Sequence, residues 1–141
     1  MQSEGKTPKF DRTGFPVVAN FKSSEFACKC GCGKEYMRAD FILTLQAART
    51  VSDCSYIISS GYRCKQHNAN EGAKPTSSHP KGCAADIKAK RLHTRFRILN
   101  GLIHAGFGRI GIGKDFIHVD DDGDKRGEII WLYSKEHGRK S

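Results

Sequence analysis

The chain has 141 residues, of which 38% are hydrophobic and 28% are charged, and this suits one soluble globular domain with a single hydrophobic core. No apolar run approaches the ~20 residues that a membrane-spanning helix needs, so we expect no integral membrane association. The formal net charge of +9 favours polyanionic partners, but it does not distinguish nucleic acid from anionic membrane or acidic cell-wall polymers.

The first 20 residues show no hydrophobic period and contain Pro8, Gly14 and Pro16. They predict a mobile or draped N-terminal arm, followed by a single domain over residues 21–141. The polar start, MQSEGKTPKFDRTG, lacks the apolar middle of a secretory signal. We therefore expect synthesis in the cytoplasm without a signal peptide.

Two segments have helical periodicity, 39–52 and 94–105, and a shorter helix start is predicted at 21–25. The apolar face of the second helix is predicted to consist of Phe96, Leu99, Leu102 and Ile103. Segment 64–78 has no period and is rich in Asn, Gly, Lys, Pro and Ser, which predicts a long loop of the kind that is often functional.

Short runs of β-branched and aromatic residues predict several strands. These runs are 55–60, 83–89, 109–113, 116–120 and 128–133. Because strands and helices are mixed without regular alternation, the predicted class is α+β, with a small antiparallel sheet flanked by helices.

Six cysteines are many for a chain without a signal peptide. They are Cys28, Cys30, Cys32, Cys54, Cys64 and Cys83. The run C-K-C-G-C-G at 28–33 could supply three thiolates to a structural metal, but it lacks paired C-x-x-C knuckles. A fourth ligand would have to come from a distant part of the chain. The alternative is that these cysteines are reduced or locally bridged.

A histidine and an aspartate, His79 and Asp86, stand seven residues apart around a Pro and a Gly, and His118 lies in the apolar run F-I-H-V-D. Two imidazole nitrogens and a carboxylate oxygen form a three-ligand set for a catalytic zinc ion, with a fourth position left open. Taken singly, His79 could be a surface histidine and His118 a hydrogen-bonded core histidine. Asp86 lies within an apolar strand and must face a cation, either a metal or an arginine.

In combination these motifs resemble the zinc D-Ala-D-Ala peptidases of the M15 family. The resemblance lies in S-x-H-x-x-G-x-A-x-D at 77–86 and in G-I-G followed by F-I-H-V-D at 111–120. It covers roughly residues 21–133, including S-E-F-x-C-x-C-G-C and S-G-Y-R. The family includes D,D-carboxypeptidases, vancomycin-resistance dipeptidases and phage endolysins, and it shares its fold with the Hedgehog signalling domain. The resemblance implies that His79, Asp86 and His118 bind zinc.

The resemblance also implies a general base three positions before the last histidine ligand, and that position is Asp115. Its carboxylate would take a proton from the attacking water and hand it to the leaving amine. Residues three apart in a straight strand face opposite sides, so Asp115 must lie on a turn or bulge before the strand. Asp120 shares the face of His118 and is the alternative base, or a partner that orients a ligand.

Arg63 matches the family arginine that stabilises the developing oxyanion or fixes the substrate carboxylate; the alternative interpretation is a surface arginine. Ser77, Tyr62 and Trp131 are further candidates for substrate contact. Ser77 is also consistent with a hydrogen bond that fixes its loop, and core packing is the favoured interpretation of Trp131.

The leading hypothesis is a monomeric zinc metallopeptidase that binds peptidoglycan peptides and hydrolyses an amide bond next to a D-amino acid. It would act on the cell wall as a D,D-carboxypeptidase or endopeptidase, for example as a phage endolysin released at lysis. The alternative is a non-catalytic zinc-containing binding module on the same fold. A nucleic-acid-binding protein with a Cys-rich zinc site leaves His79, Asp86 and His118 unexplained, so we expect no nucleic-acid partner.

The acidic run 120–124, D-D-D-G-D, invites a calcium-loop interpretation. An EF-hand loop needs glycine at its sixth position, and here that position is Lys125. A solvated acidic turn is therefore the prediction for this run.

Overall fold

A computed structural model describes residues 7–133. Residues 1–6 of the predicted arm and residues 134–141 of the predicted domain lie outside this range. The helices are α1 (Ala39–Ser52), α2 (Lys65–Asn70) and α3 (Leu92–His104), with 3-10 turns at Ser23–Phe26 and His79–Lys81. The strands are β1 (Ile58–Ser60), β2 (Ala84–Lys88), β3 (Arg109–Ile112), β4 (Phe116–Asp120) and β5 (Ile129–Leu132). Across residues 7–133 no helix combines the length and apolarity needed to cross a membrane.

The five strands form one mixed sheet in the order β1-β2-β4-β3-β5. The α+β class is confirmed, but an entirely antiparallel sheet is wrong, because β5 pairs in parallel with β3. Both edges of β4 are already occupied, by β2 and β3. After β4 the chain reverses direction and pairs with the free edge of β3. Since β3 is itself antiparallel to β4, β5 runs parallel to β3.

The hydrophobic core lies between α1, α3 and one face of the sheet. Successive residues of a strand point to opposite faces, so Ala85, Ile87, Ile117 and Val119 enter the core while Asp86 and His118 point away from it. Within α3 the buried residues are Ile98, Gly101 and Leu102. Phe96 and Ile103 are exposed, which corrects the predicted apolar face.

The close approach of α1 and α3 requires the missing side chain of Gly101. A Cβ atom there would collide with the Ser52 hydroxyl and the Ala48 carbonyl oxygen of α1. Because α3 packs against α1 through Gly101, the buried face of α3 is rotated by about one residue from the face that the apolar residues alone predict.

Two segments are more ordered than the sequence predicts. The predicted loop 64–78 contains α2, whose six residues are too few to show a hydrophobic period. In the predicted arm, Phe15 is buried and its ring lies 5.7 Å from that of Phe26. Phe10 and Pro16 form an isolated bridge, so residues 10–16 fold back on themselves before the chain enters the core.

The acidic run after β4 is only partly solvated. The Asp124 side chain is 85% exposed, as expected of a solvated turn. Asp122 is 4% exposed, and its carboxylate accepts hydrogen bonds from Lys81 Nζ at 2.9 and 3.0 Å and from Ser78 Oγ at 2.8 Å. For Asp122 the solvated-turn prediction is wrong, because the turn folds back onto the segment that carries His79.

Candidate active site

The register of the sheet places one residue of each strand in a row on the face opposite the helices. The row is Ser60, Asp86, His118, Gly111 and Trp131. Directly opposed residues of antiparallel strands have Cβ atoms about 4.5–5.5 Å apart. The pairing of β2 with β4 therefore brings together Asp86 and His118, which are far apart in the sequence.

The third residue of the candidate ligand set, His79, reaches the same place from the 3-10 turn that precedes β2. It is fully buried at 0% exposure, so it is not a surface histidine. Its Nδ1 lies 2.7 Å from the carbonyl oxygen of Gly61, and since a carbonyl can only accept, Nδ1 carries the proton. Its Nε2 is buried without a hydrogen-bond partner among the described residues and lies 3.4 Å from Asp86 Oδ1.

The backbone conformation at position 82 explains why a glycine follows His79 in the motif. Its φ of +75° lies in the left-handed region, and its N–H donates to the His79 carbonyl at 3.1 Å. A Cβ atom here would collide with the Tyr36 carbonyl oxygen, while the Gly82 carbonyl accepts a hydrogen bond from Arg38 N at 2.8 Å. The turn that orients His79 is thus packed directly against residues 36–38.

His118 is held from both sides of its ring. Nδ1 lies 2.9 Å from Asp86 Oδ1, and Nε2 lies 2.7 Å from Asp120 Oδ2. The other oxygen of Asp120 accepts hydrogen bonds from Arg109 Nε at 2.7 Å and from Asp122 N at 3.1 Å. Asp120 is therefore placed as the partner that orients His118, with both of its oxygens engaged.

Trp131 covers the outer side of His118, and Gly111 makes this possible. The indole ring lies 5.6 Å from the His118 ring, and the Arg109 guanidinium lies 5.0 Å above the indole. A Cβ atom at Gly111 would approach the rings of Trp131 and Tyr133 to 2.7 Å. Because Gly111 has no side chain, Trp131 of β5 can extend over β3 to the histidine on β4.

The charges of the three residues depend on one another. Burial alone would raise the pKa of Asp86, but the two histidines outweigh it and the pKa is lowered. Burial lowers the pKa of His79, and Asp86 only partly offsets this. Burial would also lower the pKa of His118, but its hydrogen bonds to Asp120 and Asp86 reverse the direction and raise it. The two histidines thus favour the charged form of Asp86, and burial favours the neutral form of His79.

These three residues fit a metal ion. One ligand atom of each of His79, Asp86 and His118 can be chosen so that all lie within 4.8 Å of one another. A tetrahedral zinc ion with bonds of about 2.0–2.2 Å separates its ligand atoms by about 3.4 Å. The measured separations from Asp86 Oδ1 are 3.4 Å to His79 Nε2 and 2.9 Å to His118 Nδ1. A metal ion would also give the buried Nε2 of His79 a partner.

A cleft of about 620 Å³ opens beside Asp86. Its lining includes two of the sequence-predicted catalytic residues, Arg63 and Asp115. Asp115 is half-buried at the bend between β3 and β4, in agreement with the expectation that it precedes the strand. The rest of the lining consists of Ile57, Ser59, Ser60, Glu71, Lys88, Lys90, Arg91, Thr94 and Phe116.

Arg95 fixes the bend that carries Asp115. Its guanidinium donates to three carbonyl oxygens, those of Ala89 at 2.9 Å, Lys114 at 3.1 Å and Gly113 at 2.8 Å. The Asp115 carbonyl in turn accepts from Ala89 N at 2.9 Å. The sequence alone does not indicate this role, because backbone acceptors leave no signature in residue type.

Arg63 is 3% exposed, so the interpretation as a surface arginine is wrong. Burial lowers the pKa of its guanidinium, while the carboxylates of Asp86 and Glu71 favour the charged form. An arginine keeps its proton even so, because its pKa starts above 12. Glu71, a cleft residue that no sequence motif marks, lies at the end of α2 within the predicted loop.

The remaining candidates lie outside the cleft lining given above. Ser77 Oγ accepts a hydrogen bond from the His79 backbone N–H at 3.3 Å, which fits a loop-fixing role. Tyr62 packs edge-on against Tyr36, with ring centroids 5.2 Å apart. Tyr133, the residue after β5, has a hydroxyl group that is buried with no hydrogen-bond partner within residues 7–133. Burial raises the pKa of that phenol.

A buried His–Asp–His set beside a cleft that carries a carboxylate and a guanidinium defines a candidate mononuclear metallohydrolase. The family model described as Peptidase M15 matches residues 19–120, which is more than two thirds of the chain and includes all of these residues. The chain therefore belongs to the M15 peptidase family, and it is a metallopeptidase. No curated protein gives a significant match to the sequence.

Proposed function

We propose that this protein is a zinc-dependent peptidase that hydrolyses an amide bond next to a D-amino acid in cell-wall peptides. The observation that carries the proposal is the convergence of His79, Asp86 and His118 beside the cleft that contains Arg63 and Asp115. Membership of the M15 family supports the peptidase chemistry.

Zinc is the metal that this donor set suits best. Two imidazole nitrogens and one carboxylate oxygen leave a fourth position open, as in catalytic zinc sites. Zinc bound there would act as a Lewis acid on the scissile carbonyl and lower the pKa of water. The protein contributes the fixed orientation of the ligands, through Gly61 for His79 and Asp120 for His118.

Asp115 is the proposed general base. It is half-buried in the cleft wall, where its carboxylate can hold the proton of the attacking water and release it to the leaving amine. Asp120, the alternative, accepts hydrogen bonds at both oxygens from His118, Arg109 and Asp122, and it is not part of the cleft lining described above. A carboxylate with its lone pairs already engaged is a poorer proton acceptor.

Arg63 is proposed to bind negative charge on the substrate, either the developing oxyanion or a carboxylate. Lys88, Lys90 and Arg91 line the same cleft and give it a surplus of positive charge next to the metal site. Cell-wall peptides carry free carboxylates, so the charge of the cleft suits them. The formal net charge of +9 would likewise favour residence on an anionic wall.

The proposed place of action is the cell wall, which a phage endolysin reaches at lysis and an exported host enzyme reaches by secretion. In either setting the protein is proposed to act as a monomer. The terminal D-Ala-D-Ala bond, an interpeptide crosslink and the L-Ala-D-Glu bond are the three candidate cleavage sites.

The test is a digest of purified peptidoglycan by the zinc-loaded protein, followed by mass spectrometry of the released peptides. New termini next to a D-amino acid are expected, and their masses identify the bond. The matched control is Asp115→Asn, which should bind zinc but release peptides about 10²- to 10⁴-fold more slowly. Absence of new termini with the unaltered protein, in the presence of sufficient zinc, would refute the proposal.

A further inference from the structure

A second cluster of potential metal ligands lies outside the candidate active site. The sulfur atoms of Cys28, Cys30, Cys32 and Cys64 all lie within 4.8 Å of one another. Cys28 Sγ is 3.4 Å from Cys30 Sγ, and Cys30 Sγ is 3.7 Å from Cys64 Sγ. None of the six cysteines, all within residues 7–133, forms a disulfide bond. Cys64 thus lies where the distant fourth ligand that the C-x-C-x-C run lacks would have to be.

We propose that these four cysteines bind a structural zinc ion. A tetrahedral zinc ion with Zn–S bonds of about 2.3 Å places its sulfur ligands about 3.8 Å apart, close to the separations observed here. Four protein ligands close the coordination sphere, whereas His79, Asp86 and His118 leave one position open. The two sites therefore differ in chemistry. The cysteine site has four thiolate ligands and a structural role, whereas the His–Asp–His site has nitrogen and oxygen ligands and a catalytic role.

The backbone of residues 28–34 is shaped to bring three alternate cysteines together. Gly31 and Gly33 have φ values of +91° and +78°, in the region that side chains disfavour. A hydrogen bond of 2.8 Å from Cys28 N to the Lys34 carbonyl oxygen closes the loop. In an extended strand alternate residues would share a face but lie too far apart to converge on one ion.

Hydrogen-bond donors also face two of the four sulfur atoms, as suits thiolates. The backbone N–H of Cys64 donates to Cys28 Sγ, and that of His67 donates to Cys64 Sγ, each at 3.4 Å. His67 Nδ1 lies 3.2 Å from Cys28 Sγ, and its Nε2 lies 3.6 Å from Glu71 Oε2. We assign His67 as a hydrogen-bond donor to the Cys28 thiolate, a role that outer groups commonly have in metal sites.

The site would join a segment that carries active-site groups to the N-terminal part of the domain. Cys64 directly follows Arg63 in the chain, and Gly61, which orients His79, stands three residues before it. A zinc ion shared by Cys64 and residues 28–32 would hold this segment against the N-terminal part of the domain. Arg63 and the Gly61 carbonyl would then be positioned by a metal that never contacts the substrate.

The experiment is metal counting by elemental analysis on full-length protein purified under reducing conditions. Two zinc ions per chain are expected for the unaltered protein, one for Cys30→Ala and one for His79→Ala. Cys30 is exposed, so its truncation removes little packing. The matched control, Cys54→Ser, changes a cysteine outside the cluster and should retain two.

Cobalt substitution distinguishes the two sites independently of activity. Cobalt-loaded His79→Ala should retain intense near-ultraviolet sulfur-to-cobalt charge-transfer absorption, and cobalt-loaded Cys30→Ala should lose most of it. If a variant fails to fold, the cobalt-loaded unaltered protein still tests the inference, because it should itself show the sulfur-to-cobalt absorption. Folded His79→Ala without zinc, iron in place of zinc, or a disulfide within the cluster would each overturn the inference. These outcomes leave the proposed peptidase activity to be judged separately by the peptidoglycan digest.

Discussion

The Nδ1 atom of His79 and the carbonyl oxygen of Gly61 form a 2.7 Å hydrogen bond that joins the turn before β2 to the segment after β1. This bond turns the opposite ring nitrogen toward Asp86. It also couples a proposed metal ligand to the segment that carries Arg63 two residues later. Gly61 has no room for a side chain, since a Cβ atom would approach the Cα and side chain of Phe26 to 2.8–2.9 Å.

We therefore expect Gly61→Ala to weaken zinc binding at the His79 site by about 10- to 100-fold, the range typical of lost outer-shell support. The new methyl group must displace the backbone of either residue 26 or residue 61, and the second shift moves the acceptor of His79. Competition with a fluorescent chelator measures the affinity. Gly123→Ala is the control, because a Cβ atom there meets nothing within 4 Å. Equal affinities for the two variants would show that the Gly61 carbonyl does not orient His79.

Replacing Asp115 and Asp120 separately should distinguish a base from an orienting partner. Asp115→Asn should lower kcat by about 10²- to 10⁴-fold, the usual contribution of a general base, with zinc content unchanged. Asp120→Asn should lower zinc affinity as well, because the His118 Nε2 proton loses its charged acceptor. Zinc content by elemental analysis and peptide release by mass spectrometry report the two effects. Full activity of Asp115→Asn would indicate that Asp120, and not Asp115, is the general base.

Arg63→Lys should lower catalytic efficiency by about 100-fold at unchanged zinc content, because a lysine cannot reproduce the planar two-pronged contact of a guanidinium. The kinetic parameter that changes identifies the role of Arg63. A fall in kcat indicates contact with the oxyanion, and a rise in KM that disappears for an amidated substrate indicates contact with a substrate carboxylate. Steady-state kinetics on a synthetic cell-wall peptide measure both parameters. Unchanged kinetic parameters for this variant would show that Arg63 contacts neither the oxyanion nor a substrate carboxylate.

The Asp122–Lys81 contact should make stability depend on pH in the acid range. Burial alone would raise the pKa of Asp122, but the hydrogen bonds from Lys81 and Ser78 lower it to about 2 from 3.8. Because the folded-state pKa is the lower one, the carboxylate stabilises the fold above pH ~4, and this contribution is lost as the pH falls toward 2. Its size is about 1–2 kcal/mol, since Lys81 is partly exposed.

Urea unfolding of the unaltered protein and of Asp122→Asn, both with chelator present, tests this expectation between pH 3 and pH 6. The difference in unfolding free energy should be largest near pH 6 and should shrink toward pH 3. Asp124→Asn is the matched control, because Asp124 also contacts Lys81 but is highly exposed. A difference that stays constant over this pH range would show that the Asp122 charge does not stabilise the fold.

Much of the site could be predicted from the sequence because its chemistry resides in the side chains themselves. The imidazoles of His79 and His118 and the carboxylate of Asp86 are the ligand types that zinc prefers, and their order and spacing carry the family resemblance. The alternation of strand β4 likewise predicts that Asp120 shares a face with His118. The helix over 39–52 was also predictable, because its apolar period extends over four turns.

The tertiary structure decided what depends on backbone groups and on distant pairing. The parallel pairing of β5, the carbonyl of Gly61 that holds His79, and the carbonyls that Arg95 gathers beside Asp115 have no signature in residue type. The same holds for the fourth cysteine: Cys64 joins Cys28 only because segments 36 residues apart pack together. The sequence by itself determined which chemical groups the protein contains. Only the fold decided which of them meet, because long-range contacts depend on how the whole chain packs its core.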